Sequence, residues 1–217
     1  MSFKKLLFNQ VSEDDMARAS LDFLMFMRLR RSVREFSNRD IPIEVIKNIV
    51  STAASAPSGA NKEPWHFTIV RDPVVKRKIR TGAETEEKAF YTHKAPVNWL
   101  KDLNKFGTNW HKEFLEVAPY LIIVFKQIYD LKNGEKYKNY YVNESVGIAT
   151  GILLTAIHRA GLVALTHTPS PMGFLEKICK RPPNERAFLL IPVGYPADNA
   201  MVPDIQKKYI SDYCEII

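Results

Sequence analysis

Continuous and β-rich apolar runs predict the strands of this chain. Residues 120–125 (Tyr-Leu-Ile-Ile-Val-Phe) are apolar without interruption, which is typical of a strand that is buried on both faces. The segment 65–70 is rich in aromatic and β-branched residues and predicts a second strand. We expect these two strands to form the centre of a sheet, with further strands at 162–166 and 187–193.

Polar and apolar spacing predicts two helices near the start of the chain. Ser12 is followed by three acidic residues, which is typical of an N-cap and a favourable first turn. This helix should end at about Arg28. A second helix should have Pro42 in its first turn, because apolar residues then recur every three or four positions up to Ala53.

The second half of the chain predicts a buried helix and a shorter one. Residues 143–160 are apolar on nearly all sides, so we expect a buried helix of the kind often found at a dimer interface. Gly161 is placed to end this helix, and a short helix is expected at 172–179. The stretch at about 80–112 is charged and less periodic, and we interpret it as a lid made of helical pieces.

Length and composition predict one domain that spans residues 1–217. A chain of 217 residues buries about 70% of its unfolded surface. Its apolar fraction of 46% and charged fraction of 25% are ordinary for a globular protein and indicate neither disorder nor membrane spanning. The net charge of +7 is spread among interspersed acidic residues, so we predict no nucleic-acid partner.

The cysteines and histidines indicate the redox compartment of the protein and whether it binds a metal. Cys179 and Cys214 have no spacing typical of a disulfide framework or a metal site, so a reducing compartment is expected. The histidines show no ligand spacing, and we predict no metal. Residues 1–9 contain only a short apolar patch, too brief for a signal peptide or a membrane span. We therefore expect a cytoplasmic protein without a signal peptide or a membrane anchor.

The first candidate for chemistry is the run Arg30-Arg31-Ser32-Val33-Arg34. Each Arg side chain offers a planar fork of donors that fits a phosphate bidentately and stays charged at any working pH. The run therefore indicates a phosphate-binding clamp. The alternative is that a basic run after a helix is simply a solvated face.

A family resemblance emerges from three further segments. They are a loop of small residues at 56–61, the sequence Lys-Glu-Pro-Trp at 62–65 and the sequence Val-Gly-Tyr-Pro at 193–196. Together with the Arg run, these segments resemble the nitroreductase family of FMN-dependent oxidoreductases, from about residue 30 to about residue 207. The resemblance implies an α/β (α+β) nitroreductase fold with a central mixed sheet flanked by helices. It also implies a domain-swapped homodimer with two FMN sites at the subunit interface.

The resemblance also assigns residues to the flavin. The implied cofactor-binding set is Arg30, Arg31, Ser32, Val33, Arg34, Ser58, Thr166, His167, Thr168 and Lys207. Lys207 falls where the family usually has an Arg, and a Lys supplies the charge without the bidentate fork. The adjacent Lys208 is the alternative for this position. Thr168 would be the catalytic residue, because its hydroxyl is expected to hydrogen-bond flavin N5, a bond that accompanies one-electron flavin chemistry in the family. The alternative for Thr168 is an ordinary threonine at a strand end.

The lid carries a narrower resemblance. Glu87, Tyr91 and the string Thr-Asn-Trp-His-Lys-Glu at 108–113 resemble the active-site lid of the iodotyrosine deiodinases, a group within that family. Glu87 and Lys112 would bind the ammonium and the carboxylate of an amino acid, and Tyr91 would add a hydroxyl. The halogenated phenol would stack on the flavin, with its phenolate oxygen at the backbone N–H of Ala60. Without the resemblance, these charges would be interpreted as solvated surface.

The implied activity is FMN-dependent reductive dehalogenation of halotyrosines. The expected substrates are 3-iodotyrosine, 3,5-diiodotyrosine and also bromo- and chlorotyrosine, with electrons from a separate NAD(P)H-dependent donor. One alternative is a generic NAD(P)H-dependent nitroreductase or quinone reductase, which direct oxidation of NAD(P)H would favour. Another is a flavin-binding or flavin-fragmenting protein without a halotyrosine product, and the charged residues of the lid argue against it.

His167 and His158 lie in segments for which we predict a flavin contact or a buried helix. The deiodinases usually have three threonines where this chain has Thr166, His167 and Thr168. His167 is either a solvent-facing substitution or a second donor near the flavin, and we favour the first interpretation. His158 lies on the predicted buried helix and is interpreted as a core or interface residue.

Overall fold

The computed structural model describes residues 2–217. By their contacts the residues form two compact units that divide between Arg31 and Ser32. The helices are α1 (Glu13–Arg28), α2 (Ile43–Ala53), α3 (Pro73–Ala89), α4 (Val97–Asn104), α5 (Phe114–Val117), α6 (Val142–Arg159) and α7 (Gly173–Ile178). The strands are β1 (Trp65–Val70), β2 (Tyr120–Gln127), β3 (Tyr129–Lys132), β4 (Glu135–Lys138), β5 (Val163–Ala164) and β6 (Glu185–Gly194). The single domain expected over residues 1–217 stays a prediction.

The first unit contains α1, which begins as predicted. The Ser12 hydroxyl accepts a hydrogen bond from the backbone N–H of Asp15 at 3.2 Å. Acidic residues occupy the first turn, where they face the positive end of the helix dipole. None of the α1 residues is buried, and its apolar side chains, such as Phe23 and Leu24, are exposed.

The main sheet of the second unit has the strand order β1-β2-β6-β5, and these strands pair antiparallel. A parallel bridge between Ser32 and Ala164 adds the mixed pairing that was expected. β2 lies inside the sheet, as predicted. The prediction that β1 shares the centre is wrong, because β1 forms an edge among the described strands. The ten-residue β6 lies on the other side of β2 and pairs along its whole length.

The strand predicted at 162–166 is shorter than expected. β5 contains only Val163 and Ala164, which pair with Gly194 and Val193. The next partner on β6 is Pro192, which has no backbone N–H to donate. The ladder is therefore interrupted at this point and resumes only as a single bridge farther along.

Side chains of β2 alternate between two hydrophobic clusters. Ile122 and Val124 pack with α2 and α6 on one face of the sheet. Leu121, Ile123 and Phe125 pack with α3, α5 and α7 on the other face. These five residues have no exposed surface, so the prediction that β2 is buried on both faces is confirmed. The core is a three-layer arrangement with helices on both sides of the sheet.

Helix termini follow the sequence signals closely. Pro42 is the N-cap of α2 and stands just before the first turn that was expected to contain it. The Asp72 carboxylate caps α3 by accepting the Val75 N–H at 2.9 Å. Gly161 follows α6 with a φ of +74°, the left-handed conformation that glycine adopts at low cost.

The segment that was interpreted as a lid begins with a core-packed helix. α3 continues to Ala89, and its Ile79 and Ala83 side chains are fully buried. A π-helix at Phe90–Lys94 extends it, and α4 follows after a short turn. None of the α4 residues is buried. The helical pieces that cover the site therefore start at Phe90.

A hairpin of β3 and β4 was not predicted. Its turn is formed by Asn133 and Gly134, both with positive φ. Asn-Gly is the commonest signal for a tight hairpin turn, so the sequence contained the information.

Residues 2–217 contain neither a helix suited to a membrane nor a cluster of metal ligands. No helix in this range is both long enough and apolar enough to cross a membrane. The same residues do not bring together three or more His, Cys, Asp or Glu side chains that could hold a metal ion.

Candidate active site

The second unit contains a cavity of about 400 Å³, within the range of ligand-binding pockets, roughly 300–1,000 Å³. Its walls come from the end of α3 with the π-helix, from the lid up to Phe114, and from the segment that follows β5. The predicted site residues that line it are Arg34, Glu87, Tyr91, Lys112, Thr166, His167 and Thr168. The fold thus brings together residues that are far apart in the sequence.

Glu87 and Lys112 form an ion pair in one wall. Nζ of Lys112 lies 3.2 Å from Oε2 of Glu87, and the side chains of Lys112 and Glu87 are only 4% and 14% exposed. The Lys112 ammonium also donates to the backbone carbonyl of Asn109. Burial lowers the pKa of Lys112 and raises the pKa of Glu87, and the attraction between the two charges opposes both shifts. Charges held out of water in this way interact strongly with a charged ligand.

Tyr91 completes this wall. It follows Glu87 by four residues, and the π-helix continues α3 without a break, so both side chains reach the same side. The Tyr91 ring centre lies 5.6 Å from Nζ of Lys112, and its hydroxyl hydrogen-bonds the Thr108 side chain. Burial raises the pKa of the Tyr91 hydroxyl, which therefore stays protonated near neutral pH and can donate.

Exposed and buried residues alternate in the segment after β5. Thr166 and Thr168 are exposed residues that line the cavity, whereas His167 between them is buried. His167 and Leu190 exchange two backbone hydrogen bonds of 2.9 and 3.0 Å. Because side chains alternate along an extended backbone, this pairing turns both threonine hydroxyls to the same side.

His167 is not the solvent-facing substitution that we expected. It is 8% exposed, its ring packs edge-on against Phe114 at 5.7 Å, and its Nε2 is buried without a hydrogen-bond partner. Burial, together with the charges of Lys112 and Arg34, lowers the pKa of His167 to about 3. The imidazole is therefore neutral at physiological pH. The expectation failed because it ignored the bridge to Leu190, which fixes the side that His167 faces.

Arg34 gives the cavity a surplus of positive charge. Burial lowers the pKa of its guanidinium, which nevertheless stays charged at physiological pH. Arg34 and Lys112 set two cations against one carboxylate, Glu87, among the lining residues. An anionic group is therefore the favoured occupant of this side of the cavity.

The other residues of the Arg run lie in different surroundings. Val33 is 5% exposed, and its N–H donates to the Ala164 carbonyl at 3.1 Å, so its side chain packs in the core. Ser32 is exposed and bridges to Ala164. Arg30 and Arg31 belong to the first unit, and their role in phosphate binding stays a prediction.

Besides Arg30, Arg31, Ser32 and Val33, three further predicted site residues lie outside this cavity: Ser58, Ala60 and Lys207. Ala60 has a left-handed backbone, with φ 50° and ψ 31°, and Asn61 and Glu63 also have positive φ. The Ser58 hydroxyl holds this loop by accepting the Glu63 N–H at 2.9 Å. Unfavourable backbone conformations of this kind persist where the surroundings impose them, and they cluster at functional sites. Lys207 is exposed in the C-terminal segment.

Sequence reasoning missed most of the apolar lining. Phe90, Trp99, Leu103, Phe114 and Met172 face the cavity. Phe90 and Trp99 pack edge-on with ring centres 5.0 Å apart. The available signal was the presence of large apolar residues in a segment that is otherwise charged.

Comparison with known proteins places this site in a family. The sequence model of the nitroreductase family matches residues 27–195, a span that includes all the residues lining the cavity. The chain belongs to the nitroreductase family. Its architecture of helices around a largely antiparallel sheet is accordingly the nitroreductase fold, and it is an oxidoreductase of the flavoprotein type.

Particular members of the nitroreductase family are much more similar. An iodotyrosine deiodinase from Haliscomenobacter hydrossis is 62% identical over 200 residues, which cover 92% of this chain and 90% of that protein. Iodotyrosine deiodinase 1 from Homo sapiens is 46% identical over 202 residues, 92% of this chain and 70% of that protein. A solved structure of oxidized iodotyrosine deiodinase bound to FMN and 3-iodo-L-tyrosine has a TM-score of 0.76 at 32% identity, covering 89% and 99% of the two chains. Within the nitroreductase family the chain therefore belongs with the iodotyrosine deiodinases, as the lid pattern predicted.

Proposed function

We propose that this protein removes iodine from iodotyrosine by FMN-dependent reduction and releases tyrosine and iodide. The observation that carries the proposal is the buried pair of Glu87 and Lys112, with Tyr91 beside it, in the wall of a cavity of ligand size. In the overall reaction the carbon–iodine bond breaks and iodide leaves. The ring carbon gains a hydrogen, which requires two electrons and one proton.

The ion pair fits an α-amino acid better than a nitroaromatic compound or a quinone. The substrate ammonium would face the Glu87 carboxylate. The substrate carboxylate would face Lys112, whose ammonium has three donors and uses two of them for Glu87 and Asn109. The Tyr91 hydroxyl supplies a further donor. A nitroaromatic compound has neither an ammonium nor a carboxylate, so a generic reductase gains nothing from this arrangement.

The apolar lining fits the iodinated ring. Phe90, Trp99, Leu103 and Met172 line the same cavity as the ion pair. A large, polarisable iodine and an aromatic ring bury well against aromatic and thioether side chains. One cavity thus offers a charged clamp for the amino-acid group and an apolar wall for the halogenated ring.

The residues present also fit FMN. Arg34 offers a planar cation for phosphate or nearby oxygens, and Thr166 and Thr168 offer exposed hydroxyls in the same cavity. We place Arg30, Arg31 and Ser32 at the phosphate as well, because they directly precede this part of the chain. The homologous deiodinase structure contains FMN. When bound and reduced, FMN supplies the electrons for the reaction.

Two groups would complete the chemistry. We assign the catalytic role to Thr168, which lines the cavity on an extended segment. Its hydroxyl would hydrogen-bond flavin N5. We assign phenolate binding to the backbone N–H of Ala60. A halogen lowers the pKa of a phenol, so a site that binds the phenolate favours iodotyrosine over tyrosine near neutral pH.

A domain-swapped homodimer would account for the predicted residues outside the cavity. β1 is an edge strand, and α6 exposes Gly147 and Gly151, beside which this chain places no atom within 4 Å. A second copy would cover this face, and its Ser58, Ala60 and Lys207 would complete the site. Light scattering after size-exclusion chromatography should give the mass of a dimer.

The proposal extends to related substrates and to the setting. We include 3,5-diiodotyrosine, bromotyrosine and chlorotyrosine, because the clamp for the amino-acid group does not depend on the halogen. A separate NAD(P)H-dependent reductase would supply the electrons. We place the protein in the cytoplasm, where the free thiols of Cys179 and Cys214 remain reduced.

The test uses FMN-loaded protein reduced by dithionite without oxygen. The protein is supplied in parallel with 3-iodo-, 3-bromo- and 3-chlorotyrosine, and tyrosine is measured by chromatography together with the FMN content. Tyrosine formation from 3-iodotyrosine supports the proposal. FMN-loaded protein that makes no tyrosine but oxidises NAD(P)H with a nitroaromatic would replace the proposal with a generic nitroreductase. Cleavage of the flavin itself would instead indicate the flavin-fragmenting alternative.

A further inference from the structure

One face of α3 contacts the segment 112–118, which contains Lys112 and α5. Lys76, Arg80, Glu84 and Glu87 follow one another at intervals of three or four residues, so their side chains project from the same side of the helix. Each of them contacts a residue between 112 and 118. The proposed function uses only Glu87 from this row.

Glu84 binds the main chain of Lys112. Its Oε1 accepts hydrogen bonds from the Lys112 N–H and from Nε of Arg80, each at 2.8 Å. Burial by itself would raise the pKa of Glu84, but these two hydrogen bonds and the charges of Arg80 and His111 together hold the pKa below its ordinary value. Glu84 is therefore ionised near neutral pH, and its bond to the backbone is charge-assisted.

The same helix also fixes the far end of the segment. Arg80 donates to the Glu116 carboxylate at 3.2 Å and lies 3.8 Å from the carboxylate of Glu113. The Lys76 ammonium is buried and donates to the backbone carbonyls of Glu116 and Ala118 at 2.7 and 2.8 Å. α5 is thus held from its first turn to its last carbonyl groups.

The lid before Lys112 is held much less firmly. α4 has no buried residue, and Trp99 and Phe106 are exposed. Lys112, in contrast, is 3% exposed and Leu115 is fully buried. The change from an open segment to an anchored one therefore occurs at the peptide group that Glu84 binds.

We propose that Glu84, supported by Arg80, is a positioning residue that fixes the main chain at Lys112. The Lys112 ammonium then stands beside Glu87 before any substrate binds, and residue 112 marks the end of the part of the lid that moves. Glu84 does not line the cavity and acts only through Lys112. The consequence for substrate binding rests on the proposed function, whereas the anchoring of Lys112 does not.

Amide hydrogen exchange on the protein without added substrate tests whether Glu84 anchors the main chain at Lys112. In Glu84→Ala, exchange of the peptide that contains Lys112 should accelerate about tenfold, because a charge-assisted hydrogen bond is lost. Glu84→Gln keeps an acceptor and should stay within about threefold of the wild type. If Glu84→Ala does not fold, Arg80→Met is the second variant. It removes the hydrogen bond that Arg80 donates to Glu84 and should accelerate exchange at Lys112 about threefold. Unchanged exchange at Lys112 in both Glu84→Ala and Arg80→Met would overturn the proposal.

Glu86→Ala is the matched control, because it makes the same change as Glu84→Ala at a nearby position of the same helix. The Glu86 carboxylate lies 3.9 Å from Lys94 and has no contact with Lys112. Its exchange at Lys112 should equal that of the wild type. Acceleration equal to that of Glu84→Ala would overturn the proposal, because a general charge effect would then explain both variants.

Kinetics with two substrates test the consequence for binding. In Glu84→Ala, KM for 3-iodotyrosine should rise about tenfold, with kcat within about twofold. The rate with 2-iodophenol, which has no ammonium or carboxylate, should not change. An equal loss for both substrates would show a general structural effect and overturn the positioning role. If the wild type dehalogenates neither substrate, the proposed function is wrong, and the exchange experiment still decides the anchoring.

Discussion

Glutamine in place of Glu87 removes the charge that balances Lys112 and keeps the shape of the side chain. The Lys112 side chain is only 4% exposed, and its ammonium loses a carboxylate 3.2 Å away. The substrate ammonium loses its proposed partner. Hydrogen bonds to charged groups contribute about 1.5–3 kcal/mol. Because the glutamine oxygen still accepts a weaker bond, we expect a loss of about 2 kcal/mol in substrate binding, which corresponds to an affinity about 30-fold lower.

Calorimetric titration of FMN-loaded, oxidised protein with 3-iodotyrosine measures this loss. The Glu86→Gln variant is the control, since its carboxylate does not contact Lys112. Titration with 2-iodophenol shows whether the effect is confined to the amino-acid group. A loss smaller than about threefold, or an equal loss with 2-iodophenol, would refute the reasoning, because the ion pair would then support the fold without binding the substrate.

Three further predictions concern other parts of the structure. Thr168→Ala should slow deiodination and leave nitroaromatic reduction intact, because only the former is proposed to need its hydroxyl; unchanged deiodination would contradict this role. The pKa of His167 is about 3 in the fold and about 6.5 in the unfolded chain, so the unfolded chain binds the additional proton between these values. Stability should therefore fall by about 1.4 kcal/mol per pH unit below about pH 6.5. Urea unfolding of His167→Thr should lack this contribution to the slope, and an unchanged slope would contradict the assignment. Arg181→Met removes the guanidinium that binds the buried Glu185 carboxylate at 2.6 and 2.9 Å. It should lower the free energy of unfolding by about 3 kcal/mol, whereas a loss below about 1 kcal/mol, typical of an exposed pair, would contradict it.

The fold was predictable where a local sequence pattern reflects burial or helix capping. β2 is buried on both faces, and its sequence is an unbroken apolar run. α1 begins at the Ser12 cap, as its sequence indicates. The order of the strands was not predictable in this way. The place of β6 beside β2, and of β1 at the edge, depends on pairing between segments far apart in the chain. Local periodicity carries no information about such pairing.

In the candidate site, too, local patterns were predictable and contacts between distant segments were not. Glu87 and Tyr91 could be placed together from their spacing on one helix. The 3.2 Å distance between Lys112 and Glu87 depends on the path of the lid and on the hydrogen bond from the Lys112 N–H to Glu84. No local sequence pattern shows either of them. The burial of His167 likewise depends on its bridge to β6. Family resemblance supplied Lys112 as a candidate. It could not anticipate the burial of His167, because this chain departs from the family pattern at that position.

The most direct test of the account is the product stoichiometry of a single turnover. Protein that carries reduced FMN is mixed with excess 3-iodotyrosine without oxygen, and tyrosine and iodide are both measured against the flavin content. The account predicts one tyrosine and one iodide for each flavin. Protein that retains its FMN, binds 3-iodotyrosine and forms neither product would contradict it.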